Sequence, residues 1–233
     1  MCITLCLAFS SALHATTYSV SGEYWSSTDS TLIDQTLQAY VPAAGSAVYS
    51  TTPDAIFTVT GSDPTQLINF TDGNGYTVGP FLNYGSGGGS VYTITWNTGA
   101  GHATDNLDDS LFQFQGTTTL TDQTIYTFKH DDGFILYLNG VPVVNDGGPS
   151  SPVATAFCVG DSSYCSAYDY SAAPGTYSFT LDYAEVDGPT ADLVTDLPLT
   201  GPVPNSTPEP SSFLMLGSGL VAIAAALRRR RVA

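Results

Sequence analysis

Positive charge is almost missing from this sequence. Of 233 residues only five are Lys or Arg, against 21 Asp and Glu, giving a net charge of -16. Four of the five are Arg228, Arg229, Arg230 and Arg231, so Lys129 stands alone in the rest of the chain. One Lys cannot neutralise a run of phosphates or dock a body on an anionic leaflet, because both need clustered cations. Nucleic acid and peripheral membrane surfaces are therefore excluded as partners of the body. Divalent cations and neutral polymers such as glycans stay compatible, as does a charge that serves solubility alone.

Catalytic signatures are missing too. There is no Gly-x-Ser-x-Gly, His-Glu-x-x-His or phosphate loop. His130 and Asp131 are adjacent, which in a strand points them to opposite faces, so they do not argue for a dyad. A glycosidase needs two carboxylates, and 21 acids always furnish a pair, so their abundance says nothing. The sequence reads as a non-enzyme. Asp72 to Gly75 and Asp105 to Asp109 fall short of a calcium loop and read as turns.

Both ends read as targeting segments. Met1 to Ala15 is apolar, ends in small residues and precedes the strand-like Thr17 to Val20. This is the pattern of a secretory signal peptide over 1–15, cleaved after Ala12 or Ala15, without its positive n-region. That omission suggests a true start further upstream. At the other end, Phe213 to Leu227 is uncharged. As a helix it would measure roughly 22 Å against a hydrocarbon core of about 30 Å, so it spans only with snorkelling Arg side chains. The Arg cluster places its own end in the cytoplasm.

Pro208, Glu209 and Pro210, the short helix over 213–227 and the basic stop Arg228 to Arg231 together resemble the PEP-CTERM sorting signal. The resemblance covers residues 207–233. It implies an exosortase and the secretion machinery as partners, cleavage near Pro208 to Pro210, and transient anchoring in the inner membrane of a Gram-negative bacterium. Release to the cell surface or extracellular matrix would follow.

Between the ends, roughly 185 to 195 residues remain, which points to one domain. Apolar residues there repeat with period two: Tyr92, Ile94 and Trp96 share a face, as do Tyr177, Phe179, Leu181 and Tyr183. Further strands are expected at 55–60, 67–70, 111–116, 125–130 and 191–197. Asn139-Gly140, between Phe134–Leu138 and Val141–Val144, is a type I′ hairpin signal, and Pro142 marks an edge or bulge. The expected fold is all-β, a β-sandwich or jelly roll over 16–197. At most one short helix is expected, at Leu32 to Tyr40, besides the C-terminal transmembrane helix. Residues 198–207 read as a Pro-rich spacer.

Cleavage of the first segment would remove Cys2 and Cys6. Cys158 and Cys165 should then pair in an oxidising compartment.

Thr124 to Gly140 resembles the centre of a PA14-like domain, with Asp-Asp-Gly between two aromatic-rich strands and a later strand like Tyr177 to Glu185. The match covers about residues 105–197. It implies a β-sandwich used for glycan binding, adhesion or as a non-catalytic module, hence a body that binds glycans or associates with exopolysaccharide. In sugar-binding members two adjacent aspartates hold a calcium ion, and the matching positions are Asp131 and Asp132. Many members keep the motif as a turn only, with Gly tolerating positive φ. For both carboxylates to serve one ion, a strained or cis peptide is expected at that step. Asn145, Asp146, Asp161 and Asp169 are candidate further ligands. A loop over 145–171, bearing Phe157, Tyr164, Tyr168 and Tyr170, would carry sugar specificity. The alternatives are a structural matrix protein without a defined ligand, or a carboxylate-based hydrolase.

Overall fold

The computed structural model describes residues 17–26, 52–71, 76–84, 91–97, 100–108, 110–148, 151–186 and 191–200. Residues 1–15, the helix expected at 32–40 and the sorting segment 208–233 lie outside them. The described strands all belong to the compact unit Met1–Pro202.

The strands are β1 (Tyr18–Ser26), β2 (Ala55–Gly61), β3 (Asn69–Thr71), β4 (Val91–Trp96), β5 (Ser110–Leu120), β6 (Thr124–His130) and β7 (Gly133–Leu138). They continue with β8 (Val141–Asp146), β9 (Val153–Val159), β10 (Tyr170–Ala172), β11 (Gly175–Glu185), β12 (Asp192–Thr195) and β13 (Leu199–Thr200). Among the described residues they form an eight-stranded sheet, ordered β4-β2-β1-β5-β11-β7-β8 with β13 also on β5, and a five-stranded sheet, ordered β10-β9-β6-β12-β3. The fold is a β-sandwich. No described helix is long and apolar enough to cross a membrane.

Alternation builds the two layers. On β6, Tyr126, Phe128 and His130 are buried while Ile125, Thr127 and Lys129 are exposed. On β11, Phe179, Leu181 and Tyr183 point into the same core. Between the sheets a chain of rings links Phe57, Phe114, Phe70, Phe81 and Phe112, with centroids 5.0 to 5.5 Å apart. Rings this close gain edge and offset contacts beyond their burial.

The β7–β8 hairpin forms as the sequence predicts, with positive φ at Asn139 (49°) and Gly140 (77°). Pro142 lies on β8, at the end of the large sheet, beside a register shift between Leu136 and Tyr137.

Three features depart from expectation. The described helix is α1 (Val78–Tyr84), followed by a 3-10 turn at Ala100–Thr104. Residues 145–171 are not one loop, because β9 and β10 lie within them. Finally, β13 pairs with Thr117 and Thr118 and buries Leu199, so the body continues into the expected spacer.

Candidate functional site

Strand β6 belongs to the small sheet and β7 to the large one. Asp131 and Asp132 are the whole connection between them, so the Asp-Asp step is the corner joining the two layers. Its first residue stays with the small sheet, since Asp131 N–H donates to Asp192 O at 2.9 Å. Its second reaches the large sheet, where Asp132 Oδ2 accepts from Val186 N–H at 2.6 Å, just past β11.

No cis peptide occurs among the described residues; the chain reverses instead through a positive φ of 46° at Asp132. Asp tolerates this region better than most side chains. The motif's glycine therefore does not supply the positive φ. A Cβ on Gly133 would sit 2.6 Å from the carbonyl oxygen of Gly147, so glycine is required there by a close backbone approach.

Both aspartates are buried, at 4% and 1% exposure, beside Glu185 at 0%. Tyr76 donates its hydroxyl to Glu185 Oε1 at 3.0 Å and Tyr183 donates to Oε2 at 2.5 Å. Burial pushes the Glu185 carboxyl up to about 10; the Tyr183 bond opposes this, and the charges of Asp132 and Asp131 add to it. Glu185 is thus protonated at neutral pH. Burial, then the charge of Glu185, likewise raises the hydroxyls of Tyr76 and Tyr183.

The ring of His130 packs edge-on against Phe134. Its Nδ1 donates to Asp132 O at 2.7 Å, and its Nε2 lies 3.0 Å from Thr155 Oγ1, which donates to Asp146 Oδ2 at 2.5 Å. Nearby, Tyr170 donates its hydroxyl to Asn145 O at 2.7 Å. Asn145, Asp146 and Tyr170 therefore share one rim with the corner.

Asp161 serves elsewhere, its Oδ1 accepting from Ser163 N–H and Tyr164 N–H in the loop after β9. That loop is closed by the Cys158–Cys165 disulfide, with Cα atoms 5.6 Å apart. Tyr164 donates to Gln123 O and shares this loop with Tyr168, while burial, then the charges of Asp146 and Asp169, raises the Tyr170 hydroxyl.

The hard oxygens of Asp131 and Asp132 suit calcium. Among the described residues, however, no group of three or more His, Cys, Asp or Glu is placed to hold a metal ion. These residues do not complete a calcium site by themselves.

Sequence reasoning missed Glu185, Tyr76 and the second role of Tyr183. The signal was present: Glu185 continues the inward series of Phe179, Leu181 and Tyr183, a position where an acid is out of place.

Residues 206–231 match the PEP-CTERM protein-sorting motif. No curated protein matches the chain. Among solved structures, the PA14 domain of the antifreeze protein MpAFP is similar at 15% identity and TM-score 0.44, covering 86% of this chain and 90% of that one. The PA14 sugar-binding domain from an RTX adhesin is similar at 14% identity and TM-score 0.43, covering 79% of this chain and 99% of that one. A GH31 alpha-xylosidase from Xanthomonas citri is similar at 12% identity and TM-score 0.28, over 62% of this chain and 16% of that one. The chain carries a PEP-CTERM protein-sorting motif behind a two-sheet β body similar to PA14 domains.

Proposed function

We propose that this chain is an exported surface or matrix protein, cut by an exosortase near Pro208 to Pro210. Its β body then serves as a non-catalytic glycan-binding or exopolysaccharide-associated module. The observation that carries export is the sorting match, which contains Pro208, Glu209, Pro210 and all four Arg of the basic stop. The uncharged segment 213–227, ahead of the basic stop, holds the chain in the inner membrane until cleavage.

A non-catalytic role is supported by what the buried acids do. Glu185 is held by two tyrosine hydroxyls, and Asp132 ties the corner to Val186. Those bonds position the scaffold. Glycan binding is supported by the Asp-Asp-Gly resemblance and by the rim of Asn145, Asp146 and Tyr170 next to it. Calcium at Asp131 and Asp132 is the one ion in this reading, with carbonyl, water or sugar oxygens as its other ligands.

Mass spectrometry of the intact protein, from culture fluid and envelope fractions, tests the export half. The expected mature C-terminus lies near Pro208 to Pro210, and an exosortase deletion should leave the full tail in the inner membrane. Exported wild-type protein that still carries Arg228 to Arg231 would overturn it.

A further inference from the structure

The outer face of the large sheet, away from the corner, presents an ordered array of uncharged hydrogen-bonding groups. Register places Ser21, Gln115, Thr180 and Tyr137 side by side on β1, β5, β11 and β7. Adjacent strands lie about 4.8 Å apart, so this row crosses four strands as a continuous platform. Ser21 and Gln115 are exposed, while Thr180 and Tyr137 are half-buried.

The row is tied to the one beside it by a directed chain of hydrogen bonds. Gln115 Nε2 donates to Gln113 Oε1, and Gln113 Nε2 donates to Asp182 Oδ1 at 2.8 Å. That chain fixes the Gln115 carboxamide and leaves its carbonyl and second N–H available to a ligand. One strand beyond Thr180, the Tyr137 ring offers an amphipathic surface with a hydroxyl at its end.

Charge narrows the ligand. On β1, β5, β11 and β7 this face carries two acids, Glu23 and Asp182, and no cation. A polyanion finds nothing to neutralise it there. An apolar partner would strip water from hydroxyls and amides without replacing their hydrogen bonds. A neutral chain rich in hydroxyls both donates and accepts along the row, and its sugar rings stack on Tyr137.

We propose that this face, centred on Gln115 and Tyr137, is a second binding surface, for an uncharged polysaccharide laid across β1, β5, β11 and β7. It deepens the glycan-associated reading by naming a surface and a ligand class, and it does not depend on calcium or on Asp131 and Asp132.

Affinity electrophoresis of the exported protein tests it, with hydroxyethylcellulose, galactomannan and laminarin as neutral probes and alginate as the anionic one. The expected result is retardation by at least one neutral polymer and none by alginate. Gln115→Ala and Tyr137→Ala should each weaken the retardation at least tenfold with an unchanged melting temperature, while Ile125→Ala, at an exposed position on the small sheet, keeps it. Gln115→Ala, at an exposed position, guards against a folding defect in the Tyr137 variant. Free migration of the wild type in all three neutral gels, retardation by alginate, or normal retardation of both variants overturns the proposal. Retardation that both variants keep and that a calcium chelator abolishes moves glycan binding to the corner and removes it from this face.

Discussion

Tyr183 and Glu185, two residues apart on β11, lie on the same inward face and share a hydrogen bond of 2.5 Å, the hydroxyl donating to the carboxyl. The folded protein holds that carboxyl protonated up to about pH 10, whereas an unfolded Glu ionises near 4.3. Its contribution to stability is therefore complete below about pH 4.3 and is lost as the pH rises toward 10. Buried Asp182 is shifted in the same direction, chiefly by burial.

Thermal melts between pH 5 and pH 9 should show a falling melting temperature. Glu185→Gln, which keeps the shape and cannot ionise, should flatten that slope and exceed the wild type at pH 9. Parallel curves for the two proteins would remove Glu185 as the cause.

Gly133→Ala places a methyl group 2.6 Å from the Gly147 carbonyl oxygen. Overpacking against backbone costs typically 1 to 3 kcal/mol, about 2 kcal/mol here. Gly22→Ala should behave similarly, since its Cβ would meet the Phe57 ring at 2.2 Å. Urea unfolding measures both, and a change below about 0.5 kcal/mol at either site contradicts the packing described.

The Cys158–Cys165 bridge closes a loop of seven residues' separation. The chain-entropy model gives about 2.5 kcal/mol for such a loop. Cys158→Ser should lower the melting temperature by roughly 5 to 10 °C in a domain of this size. Peptide mapping of the exported protein should recover the two cysteines linked; two free thiols at these positions would end the argument.

Calcium is settled by titration. If an ion binds Asp131 and Asp132 in the folded state alone, calcium at a hundred times its dissociation constant stabilises by about 2.7 kcal/mol. Asp132→Asn should remove that gain. A melting curve unchanged by calcium or chelator assigns the corner to its own hydrogen bonds.

Strands were legible where apolar and polar residues alternate, as on β6, and on β11 where Phe179, Leu181 and Tyr183 alternate with Ser178, Thr180 and Asp182. Strand β9 was not, because Phe157, Cys158 and Val159 are all buried, which erases the alternation. Helix α1 hid behind Gly79 and Pro80, both poor helix formers. Its buried residues Val78, Phe81 and Leu82 are too few to set a period. At the corner the motif itself was visible, but the reason for its glycine was not, since that depends on backbone brought up from beyond β8.

Lys129 sits near the end of β6, hydrogen-bonded to β9 on one side and β12 on the other, with its ammonium 2.7 Å from Asp192. It is the sole Lys or Arg before Arg228. A protease of trypsin-like specificity therefore has one cleavable bond in the first 227 residues, and that bond lies inside a central strand that cannot enter an active site while the sheet is intact. Among extracellular enzymes of that class the folded body is inert, and its digestion reports unfolding alone.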